Sequence, residues 1–190
     1  MAVSYNNVIT RNYSGRVGDI VFRNYNGKSV MAKRPDCSKV IKTALQWENM
    51  NKFAKAVKYA LFVIANHVLC DYYRMKRPDL DPYHAAISDY QTWPVIESVD
   101  VREYKGHPGN VVTVSAWDKW NIEGVGVVIF NAIGDVIEFG EAVPKEFSGN
   151  TEWEYTATAE NADYKSCRIL VKVTDKPGNV VKEVVTLDST

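Results

Sequence analysis

Hydrophobic and polar positions follow three successive rhythms along the chain. In GRVGDIVFRNYNGKSVMAKRP (Gly15 to Pro35), β-branched and aromatic residues gather at Asp19–Arg23. Asn26-Gly27 then offers a turn in which both positions tolerate positive φ, and Lys28–Lys33 returns as a second strand. Arg34-Pro35 stops that strand, and Gly15 and Gly18 flank a tight bend. A lone hairpin is marginal in water, so this one is expected to pack on the following helix or on another chain.

The second rhythm is helical. Ser38 serves as N-cap, and Ile41, Leu45, Phe53, Val57, Ala60, Leu61, Ile64 and Val68 recur at helical spacing. The pattern slips near Glu48–Asn51, which leaves two helices or one kinked helix open. Within it, YALFVIANHVL (Tyr59 to Leu69) is about half a bilayer span and holds Asn66 and His67, so it reads as a buried helix segment and not a membrane anchor. Arg77-Pro78 closes the region. A further helix opens at Asp81-Pro82, with Asp as cap and Pro at the first helical position, and runs to Trp93.

After Pro94 the period becomes two. Seven strands are predicted: Ile96–Tyr104, Val111–Trp117, Gly124–Phe130, Val136–Phe139, Trp153–Ala159, Arg168–Thr174 and Val180–Leu187. Turn chemistry such as Gly134-Asp135 and Lys176-Pro177-Gly178-Asn179 separates them. Short strands without helical interruption predict an antiparallel immunoglobulin-like β-sandwich, its core built on aromatics such as Trp117, Trp153 and Tyr155. The fold class is therefore α+β. Residues 1–94 form a basic arm, β-hairpin and helical domain, and residues 95–190 form the seven-stranded sandwich.

Charge sharpens that division. The chain is neutral overall, with 23 Lys/Arg against 23 Asp/Glu. Residues 1–94 carry 14 basic against 7 acidic residues, a balance of +7, whereas residues 95–190 carry 9 against 16, a balance of −7. Opposite poles steer copies head to tail or aim the basic end at an acidic partner; internal neutralisation is the bland alternative. The N-terminus MAVSYNNVITRNYSG lacks the charged start and apolar run of a secretory signal, so cytoplasmic synthesis is expected. Three scattered cysteines, Cys37, Cys70 and Cys167, argue against a disulfide framework and form no CxxC pair for zinc.

Two resemblances add to this reading. SGRVGDIVFRNYNGKSVMAKRP, with the Phe53–Tyr59 helix and AISDY before Pro94, resembles an uncharacterised Bacteroidota family with a glycine-rich (K/R)-V-G opening, a basic hairpin and a helix. That family supplies a lineage and no catalytic residues. The second half is similar to bacterial and phage immunoglobulin-like domains through SAWDKW and VKVTDKPGNVV. Such domains act mostly as spacers, stalks and binding modules. Joined to the missing export signal, that resemblance implies a component of a phage or phage-like particle.

His67 lies in an apolar helix, His84 on the next helix and His107 in a Gly/Pro turn; no G-x-S-x-G elbow surrounds any serine, so no enzyme is expected. Asp118, Asp175 and Asn179 sit at strand ends as weak calcium candidates, with local turn hydrogen bonding the stronger reading. No cofactor is implied. Residues 1–58 hold 11 Lys/Arg against 3 Asp/Glu, and the contact residues expected for a neighbouring subunit or an anionic partner are Arg11, Arg16, Arg23, Tyr25, Lys28, Lys33 and Arg34.

The expectation is a non-catalytic structural subunit, a homo-oligomer or part of a larger assembly such as a virion, without membrane insertion. Its N-terminal arm and hairpin would lend strand edges to neighbours. A nucleic-acid-binding accessory protein is the first alternative and a surface adhesion module the second.

Overall fold

The computed structural model describes residues 2–4, 14–25, 28–36, 41–149 and 151–187. It is an α+β chain with three helices and three antiparallel four-stranded sheets among those residues. Two compact units divide it, Met1–Trp47 and Glu48–Thr190, where the sequence pattern had suggested a boundary at Pro94.

The first unit is one sheet of β1 (Ala2–Ser4), β2 (Gly15–Val17), β3 (Ile20–Tyr25) and β4 (Lys28–Lys33), ordered β1-β4-β3-β2. The expected hairpin is β3 with β4, in register from Ile20 opposite Lys33 to Tyr25 opposite Lys28; its Asn26-Gly27 turn lies outside the described residues. The bend foreseen at Gly18 is itself a hairpin. Val17 faces Ile20 across a two-residue link in which Gly18 has φ 60° and Asp19 is not left-handed, the pattern of a type II′ turn.

One expectation changes here. The beginning of the arm does not leave the hairpin edge open, because β1 pairs antiparallel with β4 of its own chain, Ala2 opposite Met31. A strand with unpaired backbone groups is satisfied by the nearest complementary strand. The outer edges of this sheet are therefore those of β1 and β2.

Helix α1 (Ala44–Ala65) opens on a reciprocal cap. Thr43 Oγ1 accepts from the Gln46 amide at 3.3 Å, and Gln46 Oε1 accepts from the Thr43 amide at 3.0 Å. Ser38, the expected cap, lies outside the described residues. The helical interruption falls at Asn66, not at Glu48–Asn51. Asn66 takes extended backbone angles, and its side chain accepts from the amides of Val68 and Leu69, which starts α2 (His67–Lys76) at 106° to α1. No single helix among the described residues is long and apolar enough to cross a membrane. Helix α3 (Pro82–Gln91) is capped by Asp81 Oδ2, which accepts from the Tyr83 amide at 3.2 Å.

The strands that follow are β5 (Val95–Asp100), β6 (Val111–Trp117), β7 (Ile122–Phe130), β8 (Val136–Glu141), β9 (Val143–Pro144), β10 (Glu152–Thr156), β11 (Arg168–Asp175) and β12 (Val180–Thr186). They form two sheets, ordered β5-β6-β10-β9 and β12-β11-β7-β8. Each of the seven expected strands has a counterpart here, and β9 is additional. The β11–β12 ladder runs from Arg168 opposite Thr186 to Thr174 opposite Val180.

Alternate residues of both sheets meet in one core: Val112, Val114 and Ala116 from β6, Trp153 and Tyr155 from β10, Val125, Val127 and Ile129 from β7, and Ile169, Val171 and Val173 from β11. Each such Val or Ile contributes about 1.5–3 kcal/mol by leaving water. Trp117 was expected in this core, but it is 48% exposed, because the inward phase of β6 belongs to the residues before it. A buried carboxylate also ties the β8 sheet to the chain beyond β10. Glu138 Oε2 accepts from the Thr158 amide and hydroxyl at 2.8 and 2.9 Å and from the Ala159 amide at 3.1 Å.

A second, smaller core explains why the helices group with these strands. Ala60 and Val63 of α1, Tyr73 of α2, and Ala85 and Ala86 of α3 pack with Trp120 from the β6–β7 loop. On α1 the buried side chains are the small ones, Ala56, Ala60 and Val63. The larger Phe53, Leu61, Phe62 and Ile64 remain about half exposed, so Tyr59–Leu69 is not the fully buried segment its hydropathy suggested.

Candidate functional site

The expected contact residues lie in the first unit, and strand phase sorts them. Residues opposite one another share a face, as do residues two apart. Arg16 faces Val21, Val21 faces Ala32, Arg23 faces Val30 and Tyr25 faces Lys28. One face thus gathers Arg16, Arg23, Tyr25 and Lys28 around a strip of Val21, Val30 and Ala32. Lys33, opposite Ile20, belongs by phase to the other face with Val17, Phe22 and Met31.

Arg16, Arg23, Lys33 and Arg34 nevertheless border one shallow groove of about 670 Å³, which Asp19 and Asp36 also line. The Arg34 amide donates to the Asp19 carbonyl at 2.7 Å and fixes the corner. Arg11 lies outside the described residues. None of residues 14–25, 28–36 and 41–47 is buried; Val17 is 65% and Tyr25 71% exposed. The groove offers four cations beside Val21 and Pro35, against two carboxylates, a balance suited to carboxylates or phosphates of a partner.

The calcium candidates perform turn chemistry. Asp118 Oδ1 accepts from the amides of Trp120 and Asn121 at 2.6 and 2.9 Å. Asp175 Oδ1 accepts from the Asn179 amide at 2.6 Å, and Asp175 Oδ2 from Asn179 Nδ2 at 2.7 Å. The same Nδ2 donates to the Tyr90 carbonyl at 3.2 Å, joining the β11–β12 turn to the end of α3. Among the described residues, no three His, Cys, Asp or Glu side chains gather closely enough to hold a metal ion.

The three histidines are exposed and far apart in their roles. His84 Nδ1 lies 3.5 Å from Asp81, its helix cap, and His107 Nδ1 lies 2.9 Å from Glu160. His67 stands in the first turn of α2.

Sequence reasoning missed a buried polar knot between the helices. Tyr73 donates to Asp89 Oδ2 at 2.5 Å, and the Tyr59 hydroxyl lies 2.9 Å from that of Tyr73. Asp89 is fully buried, and its Oδ1 has no hydrogen-bond partner; Tyr72 Oη and Trp120 Nε1 are likewise unpartnered. Burial, reinforced by the charges of Asp175 and Asp118, pushes the Asp89 carboxyl up to about 7, against the pull of the Tyr73 hydrogen bond. Burial also pushes the Tyr72 hydroxyl up to about 12. The one available signal was spacing: Asp89 shares the helical face of Ala85 and Ala86, the face an amphipathic helix turns inward.

Comparison with known proteins adds little. No family model matches the chain, and no curated protein does. Among solved structures, the crystal structure of CopC from Methylosinus trichosporium OB3b is similar over 52% of this chain and 94% of that one, at 14% identity and a TM-score of 0.35. A likeness that slight carries no argument about fold or function.

Proposed function

We propose that this chain is a non-catalytic structural subunit, whose N-terminal sheet and long helix bind neighbouring copies while an immunoglobulin-like sandwich spaces or presents them. The observation that carries the reading is a four-stranded sheet without a single buried side chain among residues 14–25 and 28–36. A sheet is stable when at least one face is covered, and this one spans too few residues to cover itself. The α1 stripe of Met50, Phe53, Leu61 and Ile64, between 43% and 58% exposed, supports the same reading.

The sandwich part rests on strand order. β5-β6-β10-β9 and β12-β11-β7-β8 follow the A-B-E-D and G-F-C orders of immunoglobulin domains, with one strand added beside C. The likeness of SAWDKW and VKVTDKPGNVV to such domains in phage particles directs the proposal toward a virion or tail-like assembly.

Light scattering of the full chain over a wide concentration range tests the reading. A mass rising above the 21.5 kDa of one chain is expected. Replacing Leu61 and Ile64 with Glu should lower the association constant at least about tenfold, since each loses roughly 1.4 kcal/mol or more of apolar burial. A particle that stays at one chain throughout overturns the proposal.

A second reading has its own support in the shared face of Arg16, Arg23, Tyr25 and Lys28, where cations flank an aromatic ring. Such a face follows a phosphate backbone and stacks on a base. Affinity for single-stranded oligonucleotides that falls steeply with salt, and falls again in Arg23→Ala, would favour it over assembly.

A further inference from the structure

The second unit carries a cavity that neither reading uses. It measures about 360 Å³ and is lined by Asn49, Lys52 and Lys55 from α1, by Tyr90, Gln91 and Trp93 at the end of α3 and just beyond, and by Asn179 from the β11–β12 turn. From these groups we infer a binding site for an acidic saccharide, one or two sugar rings bearing a carboxylate.

The floor is already fixed. Asn179 is buried, donates to the Tyr90 carbonyl and to Asp175, and so holds the α3 end against the turn before any ligand arrives. A preformed site spares the ligand the cost of ordering it. Trp93 lines the cavity and is 54% exposed. The negative π face of an indole matches the outward C–H bonds on one side of a pyranose ring.

The remaining lining groups match the rest of such a ligand. Asn49 and Gln91 are exposed amides, each with a donor pair and an acceptor suited to neighbouring hydroxyls. Lys52 and Lys55 stand three residues apart on α1, so both ammonium groups reach the same side. Lys52 is tied to Glu48 at 2.8 Å, whereas Lys55 makes no ion pair among the described residues, which assigns the carboxylate to Lys55. Size points the same way. The cavity lies near the lower end of the roughly 300–1,000 Å³ typical of small-molecule sites. A nucleic-acid strand would instead require an open groove tracking successive phosphates.

Calorimetry and saturation-transfer NMR on the full chain, with a glucuronate-terminated disaccharide as probe, test the assignment independently of how copies assemble. Saturable binding is expected, with the glucose-terminated counterpart at least about tenfold weaker. Trp93→Ala and Lys55→Gln should each weaken the probe about tenfold or more, and both positions are exposed enough for thermal melting to remain that of the parent. No binding by about 10 mM probe, or binding unchanged in Trp93→Ala, overturns the site. Equal affinity for the neutral disaccharide overturns the acidic class. A short oligothymidylate that binds more tightly than the saccharide and is weakened by the same two substitutions gives the cavity to nucleic acid and overturns the inference.

Discussion

Strands β6, β7 and β11 of the second unit alternate buried and wetter positions, whereas strands β3 and β4 of the first carry short consecutive apolar runs, Ile20-Val21-Phe22 and Val30-Met31-Ala32, on both faces. In the second unit each inward Val or Ile of β7 and β11 is matched by residues of the opposing sheet, and Val127, Ile129, Ile169 and Val171 are wholly removed from water. In the first unit the corresponding Val21, Phe22 and Val30 are only half buried, and Val17, Ile20 and Met31 are exposed. An apolar strand therefore encodes a demand for cover; it does not supply the cover. The first unit states a need that its own sheet leaves unmet.

The sharpest way to break that comparison is to damage one core and find the other region equally sensitive. Trp153→Ala should destabilise the second unit by about 3–5 kcal/mol in denaturant unfolding, because a large buried ring leaves a cavity the two sheets cannot close. A loss below about 1 kcal/mol would show that this core is not what holds the sheets together.

Next in size is a pH effect located in the polar knot. The Asp89 carboxyl sits at about 7 in the folded chain against an ordinary 3.8, so the folded form holds the proton more tightly than the unfolded form. Its contribution is fully favourable below about 4, declines as pH rises, and is lost above about 7; the full swing is at most about 4 kcal/mol. Asp89→Asn keeps the acceptor for Tyr73 and removes the charge. It should raise the melting temperature at pH 8, leave it nearly unchanged at pH 4, and flatten the slope between. Asp175, Asp118 and Lys176 act on the same group, so the slope should persist in variants that leave all of these intact.

Gly106→Ala should cost roughly 2–3 kcal/mol. Its backbone has φ 80°, and a Cβ there would stand 2.1 Å from the Asn161 carbonyl oxygen, so strain and collision act together. Smallest of all is Ile20→Ala in the first unit, expected within about 0.5 kcal/mol for the dilute chain, since Ile20 is 42% exposed. The comparison becomes more telling at high concentration: if assembly covers this sheet, the same substitution should then lower stability measurably.

Legibility in the sequence followed the range of the interactions. The β3–β4 hairpin, the Asp81-Pro82 start of α3 and the strands after Pro94 rest on neighbours in the chain, and all are present. Events set by distant partners were not legible. The pairing of β1 with β4 joins residues separated by most of the first unit. The break at Asn66 lies inside a hydrophobic run whose periodicity does not register one cap, and the Thr43 cap of α1 has a T-x-x-Q form that apolar spacing does not register either. Burial of Asp89 depends on α2, α3 and the Trp120 loop meeting, which no local pattern announces. The basic cluster was half legible: strand phase joins Arg16, Arg23, Tyr25 and Lys28, while Lys33 takes the other face.

The first and last strands of the second unit's pair of sheets lie in different sheets, β5 beside β6 and β12 beside β11. Tension drawn through the chain from its two flanks would run along these strands and not across them. The seven residue pairs joining β11 to β12 would then strain side by side instead of parting one after another like a zip. Such a block should yield late and abruptly under pull.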